Sequence, residues 1–175
     1  MPGASGAEML GLSVSQSALA LFVAVLPICA WVSYTDLKYM KIRNVAVLAL
    51  MAVFAVVGVL VLPLEVWAWR WLHLPVVLVI GLVLNMALGV GMGDVKFAAA
   101  SAPFFSADPG RVMLAIVLLQ VCLILAFVTH RIARAIPAVR AATPDWASWG
   151  HRKFPFGLVL VGTLLSYLGL IAALT

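Results

Sequence analysis

The chain has 175 residues, of which 66% are hydrophobic and only 10% charged, with a mean hydropathy of +1.20. A soluble domain of this size has no interior large enough for so much apolar surface, so the composition excludes a water-soluble protein and points to an all-α integral membrane protein. The formal net charge of +5 would suit nucleic acid in a soluble chain, but here the basic residues fall in short segments between apolar runs, as topology signals do, and no nucleic-acid partner is expected.

A bilayer core of about 30 Å takes roughly 20 apolar residues at 1.5 Å each. Five runs are long enough: residues 16–35, 44–62, 72–91, 112–130 and 155–174. The first has no Lys or Arg before Lys38, so it lacks the positive n-region of a cleaved signal peptide and is read as a retained span. Between the third and fourth runs lies VKFAAASAPFF, Val95 to Phe105, which would rise only about 16 Å as a helix. Cys29 and Cys122 each sit inside an apolar stretch, far apart and without C-x-x-C spacing, and are read as packing residues.

Charge decides whether the short segment crosses, because Lys and Arg concentrate on the cytoplasmic side. If it crosses, Lys38, Lys41, Arg43, Lys96, Arg131, Arg134, Arg140, Arg152 and Lys153 share one side and only Arg70 and Arg111 lie opposite. If it does not, the distribution is nearly even. The expectation is therefore six transmembrane helices, the fourth short, with both termini outside. WAWRW at 67–71 then forms an outer aromatic belt, and residues 131–154 form the main cytoplasmic loop of a single membrane-embedded domain spanning 1–175. The short fourth span places Asp94 below the inner surface, where irregular backbone needs enclosure by protein or a wet cavity. Gly91 and Gly93 suit such a place, since they permit unusual dihedrals and close helix approach.

Six carboxylates occur, Glu8, Asp36, Glu65, Asp94, Asp108 and Asp145. Glu8 belongs to a polar tail, Glu65 and Asp108 to outer loops, and Asp145 to the basic loop. Asp36 and Asp94 differ, because the topology puts both at the cytoplasmic ends of spans. Asp36 by itself reads as a solvated charge in a basic loop, whereas an ionisable group recessed in the membrane, as Asp94 is, points to function. The chemistry that needs both is aspartyl proteolysis, with a water held between an ionised and a protonated carboxyl. Two carboxylates in one poorly solvated site resist joint ionisation, so a shared proton is the natural state, and neither metal nor cofactor is required.

Three motifs in order resemble the type IV prepilin peptidases, membrane aspartyl proteases that include archaeal preflagellin peptidases. They are Asp36 followed by a basic loop with Ile42 and Asn44; G-x-G-D-x-K at Gly91, Gly93, Asp94 and Lys96; and Lys153, Pro155, Phe156 and Gly157 entering the last span. The resemblance implies that Asp36 and Asp94 are the catalytic pair, removing a prepilin leader after a glycine on the cytoplasmic side of the bacterial inner membrane. Larger relatives carry a cytoplasmic insertion, often with paired C-x-x-C zinc ligands, and also methylate the new amino terminus. This chain has no such insertion and is similar to the short, peptidase-only form of Flp-type (tight adherence) pili. Arg43 stands where many relatives have proline. Presenilin-like proteases also share GxGD, and Tyr34 near Asp36 is similar to their tyrosine-aspartate element, but their later proline-alanine-leucine element is missing.

The remaining polar residues have plainer readings. Lys96 either biases the ionisation of Asp94 or anchors at the inner leaflet by snorkelling. Asn44 orients the loop that bears Asp36 or caps the second helix, the cap being preferred for its residue type. Asn85 and Gln120 are read as interhelical hydrogen-bonding groups. The basic loop, with Trp146 and Trp149 beside its charges, is expected to lie on anionic lipid of the inner leaflet. His130 and His151 flank it with no third ligand, so no metal site is expected; His73 stands beside the tryptophan cluster at the outer face. A proton-coupled transporter or channel would instead require polar groups at several depths and an internal repeat, neither of which is visible. A non-catalytic pilus-assembly protein would have no reason to keep both aspartates.

Overall fold

The computed structural model describes residues 11–151 and 153–174; Glu8 and Arg152 lie outside them. Every regular element among the described residues is helical. In chain order these are α1 (Val14–Tyr39), α2 (Asn44–Val61), α3 (Leu64–Leu88), α4 (Met92–Ser101), α5 (Pro109–Ala135), α6 (Pro137–Ala142) and α7 (Gly157–Leu174). Five of them, α1, α2, α3, α5 and α7, are long and apolar enough to cross a bilayer, which makes this a multi-pass membrane protein.

The helix ends follow local chemistry. At the start of α1, Ser13 and Gln16 form a reciprocal cap: the Ser13 hydroxyl accepts from the Gln16 amide and the Gln16 side chain accepts from the Ser13 amide. At its end Met40 turns left-handed, with φ of 52°, and returns its N–H to the Asp36 carbonyl. The third span starts earlier than the hydropathy indicates, because LEVWAWR is itself helical. Trp67 and Trp71 consequently face the bundle, with the Trp67 indole donating to the Phe54 carbonyl at 3.0 Å from within a π-helical turn of α2. Only Trp69 of the expected aromatic belt is fully turned outward.

At the centre, α1 and α7 pack along their lengths and α2 and α4 close against them. Leu21, Val25, Val32, Leu50, Phe97 and Leu164 are fully buried there. Helix α3 lies on α4, and α5 on α7, and both leave most of their side chains exposed. Lipid is as apolar as leucine, so close approach and dispersion hold such helices together. Glycines supply the approach: Gly81 of α3 receives Val95 of α4, and Gly162 of α7 receives the Cys122 sulfur of α5. Cys29 and Cys122 are both buried free thiols, as packing residues should be.

The basic segment 131–154 is itself partly ordered against the bundle. Helix α5 runs on through Arg131 and Arg134, and the turn Ala147–Trp149 folds back onto α1. Trp149 is buried between His130 and Trp146, with ring centroids 5.2 and 5.7 Å away, and Trp146 meets the edge of Tyr34. The Trp149 indole donates to the Thr143 carbonyl at 3.0 Å. Trp149, with both its face and its N–H engaged by protein, is a packing residue of the fold; Trp146 is half-exposed beside it. Lys38 adds an ion pair to Asp145 at 4.0 Å and a hydrogen bond to the Tyr34 hydroxyl.

The Gly81 contact makes a stability prediction. A Cβ there would come within 2.6 Å of Val95 Cγ1, and valine has little rotamer freedom with which to yield. Gly81→Leu is expected to destabilise the bundle by about 1–3 kcal/mol, read as a lower unfolding midpoint in detergent; an unchanged midpoint would mean that α3 does not seat on α4 in this way.

Candidate active site

Asp36 lies in the last turn of α1 and is 4% exposed. A carboxylate is poorly placed there, because the final carbonyls of a helix carry partial negative charge. The structure offsets this with the other kind of helix end. The backbone N–H of Gly157, first residue of α7, donates to Asp36 Oδ2 at 2.8 Å in a buried setting. Glycine is required by space: a Cβ at residue 157 would stand 2.7 Å from Oδ2, 3.1 Å from Asp36 Cγ and 3.1 Å from Ile42 Cδ1.

Asp94 occupies the first turn of α4, with Gly91 as the residue before the helix. Here the free amides and the helix dipole favour an acidic group. Gly91 also makes room, since a Cβ there would meet Asp94 Oδ2 at 2.6 Å. Gly93 faces Ile42, whose Cβ would lie 3.4 Å from an added methyl. Ile42 is thus wedged between the Gly93 and Gly157 backbones, holding the start of α4 and the start of α7 at a common distance from the loop after Asp36.

Both carboxylates line one cavity of about 420 Å³, together with Gly91, Gly93, His151 and Lys153. That size accommodates a short extended stretch of peptide or a ligand of drug size. The two aspartates are thus brought together as the sequence pattern anticipates, from helices whose first residues are more than fifty positions apart. Among the described residues, no group of three or more His, Cys, Asp or Glu side chains is placed to hold a metal ion.

The supporting residues are arranged differently from their sequence readings. Asn44 is the first residue of α2, and no side chain caps that helix; its Oδ1 instead accepts from Lys96 Nζ at 3.3 Å. The two join α2 to α4 beside the cavity, and neither lines it. A residue inside the first turn has its side chain displaced from the free amides, which is why the cap does not form. Asn85 bonds the Val90 carbonyl in its own following turn, closing the end of α3 rather than reaching another helix. Gln120 is exposed on α5, and Tyr34 points to Lys38 and Trp146, away from the cavity.

Two residues from the far end of the basic segment, His151 and Phe154, line the cavity without having been singled out for it. Lys153 and Phe156, known only as part of a motif, line it too, and Lys153 donates to the Gly89 carbonyl at 3.3 Å. His151 Nδ1 accepts the Lys153 amide at 3.0 Å, which fixes Nδ1 as the unprotonated nitrogen in this arrangement. The order basic residue, P-F-G was the available signal, but the side chains before it carried none.

A multi-pass helical membrane protein with two carboxylates in one cavity at one end of its bundle is the class that fold and site define. The model of the type IV leader peptidase family matches residues 16–130, more than half of the chain, and the chain belongs to that family. No curated protein and no solved structure matches it. The matched stretch holds Asp36, Asn44 and the whole G-x-G-D-x-K motif; Gly157 lies beyond it, so its place in the site rests on the hydrogen bond to Asp36.

The two tight glycines set an expectation for activity. Gly157→Ala and Gly91→Ala should each lower leader-peptide cleavage on the order of 100-fold, the scale of a misplacement of about 1 Å in a reacting group, while helical content by circular dichroism stays unchanged. Full activity in both would mean that the positions of these carboxylates do not matter.

Proposed function

We propose that this chain is an aspartic endopeptidase that removes the leader of Flp-type type IV prepilins on the cytoplasmic side of the bacterial inner membrane, without methylating the new amino terminus. The observation that carries the reading is that Asp36 and Asp94 open onto one cavity at one end of the bundle. Family membership supplies the leader-peptidase class. The carboxylate pair supplies a chemistry for it.

In this mechanism a water lies between the two carboxyls. The ionised one takes a proton from the water as it attacks the scissile carbonyl, and the protonated one gives its proton to the carbonyl oxygen. The tetrahedral diol collapses as the newly protonated carboxyl gives its proton to the leaving nitrogen and the other carboxylate takes one from a diol hydroxyl, so the pair ends with one proton, as it began. The Gly157 amide holds Asp36 in place throughout. Lys153 and His151, on the cavity rim, are placed to meet the peptide backbone flanking the cut.

The topology that fits this reading has six spans, with α4 as the short fourth crossing and both termini outside, in one membrane-embedded domain. It puts the cavity, the loop Met40–Arg43 and the segment 131–154 on the cytoplasmic side with nine of the eleven Lys and Arg residues. The basic side chains of that segment, Arg131, Arg134 and Arg140, then face anionic lipid.

The test is cleavage by purified protein in liposomes. With a Flp-type prepilin, one cut after a glycine is expected by amino-terminal sequencing, and no label should pass from S-adenosylmethionine to the product. A panel of Flp-type and other prepilins left intact would overturn the peptidase reading; a methylated product would overturn the peptidase-only part.

A further inference from the structure

A second cavity lies at the opposite end of the bundle and has no part in the chemistry above. It measures about 630 Å³ and is enclosed by the beginnings of α1 and α5, the end of α2, the amino-terminal part of α3 and the end of α7. Most of its wall is apolar, including Leu21 of α1 and Leu168 and Ile171 of α7. Into this wall come two guanidinium groups, Arg70 and Arg111, and the ring of Tyr167.

The two arginines and the tyrosine have donors left over. Arg70 uses one N–H on the Phe104 carbonyl at 3.4 Å, which leaves the rest of its fork free of protein partners. The Tyr167 hydroxyl accepts from the Ser106 amide at 3.0 Å, so its own proton remains to be given. Among the described residues, no carboxylate lines the cavity. Asp108 is nearby, but its side chain caps α5 through the Arg111 amide, and Glu65 is exposed. The one ion pair among the described residues is Lys38 with Asp145, at the other end of the molecule. Two guanidinium groups lining one cavity at the edge of a membrane, neither in an ion pair with an acid among the described residues, repel each other and call for an anion.

We propose that this cavity binds a phospholipid, with the headgroup phosphate held by Arg70, Arg111 and the Tyr167 hydroxyl and an acyl chain laid against Leu21, Leu168 and Ile171. Planar forks match phosphate oxygens two at a time, which is the geometry two arginines offer and a single lysine does not. The apolar wall gives the chain a dry surface and distinguishes this site from one for free phosphate. The pair of positive charges selects an anionic headgroup over a zwitterionic one. The bound lipid joins α3, α5 and α7 at the end of the bundle where the outward-facing helices α3 and α5 have few contacts of their own.

The experiment is native mass spectrometry of the full chain released from vesicles of phosphatidylcholine with a minor fraction of phosphatidylglycerol. Wild type should retain one phosphatidylglycerol, and millimolar inorganic phosphate should not displace it. Arg70→Gln with Arg111→Gln should retain at least roughly tenfold less, the scale of a lost charge-assisted contact. Where the double variant fails to fold, Arg111→Gln alone decides in the same way. Equal retention in wild type and the arginine variants, displacement by inorganic phosphate, or no preference for phosphatidylglycerol over phosphatidylcholine would each overturn the proposal.

Discussion

One buried hydrogen bond organises the active end of this protein: the Gly157 amide donating to the Asp36 carboxylate at 2.8 Å. It joins the last turn of the first helix to the first residue of the last, and so offsets an unfavourable helix end with a favourable one. It also fixes where α1 and α7 begin to pack, and that contact forms the centre of the bundle. The bond needs a residue with no side chain, because any Cβ at 157 would press on the carboxylate and on Ile42 together.

Around that bond the site is assembled by close approach rather than by charge. Ile42 touches the Gly93 and Gly157 backbones, Gly91 leaves space for the Asp94 carboxylate, and Lys153 and Asn85 hold the turn before α4. The shortness of α4 is part of the design. A helix of ten residues starting at Met92 carries Asp94 in its first turn, next to the loop that follows Asp36, while its far end at Ser101 and Phe104 still reaches the opposite side of the core. The molecule is therefore two-ended, with a cavity lined by two carboxylates at one end and an arginine-lined cavity at the other.

Much of this was legible in the sequence, for definite physical reasons. Membrane spans announce themselves by length and apolarity, and an aspartate after two glycines in such a chain has few structural explanations. The helix that carries WAWRW was harder to read, because tryptophan serves equally at an interface and in a core. Trp149 was hard to read in the same way: beside arginines it reads as lipid-facing, yet it is buried and stacks between His130 and Trp146. Asn44 and Asn85 found partners other than those expected, since a single sequence shows which groups can bond but not what lies opposite. A span that is apolar all round has no moment to separate its packed face from its lipid face, so α3 and α5 could not be assigned to the periphery beforehand.

The central claim is that Asp36 and Asp94 share one water and one proton, and the most direct test is to remove the proton exchange without changing the shape. Asp36→Asn and Asp94→Asn, each inserted normally in liposomes, should both lose prepilin cleavage by several orders of magnitude, with the double variant no worse than either. Cleavage at the wild-type rate by either single variant would contradict the two-carboxylate account.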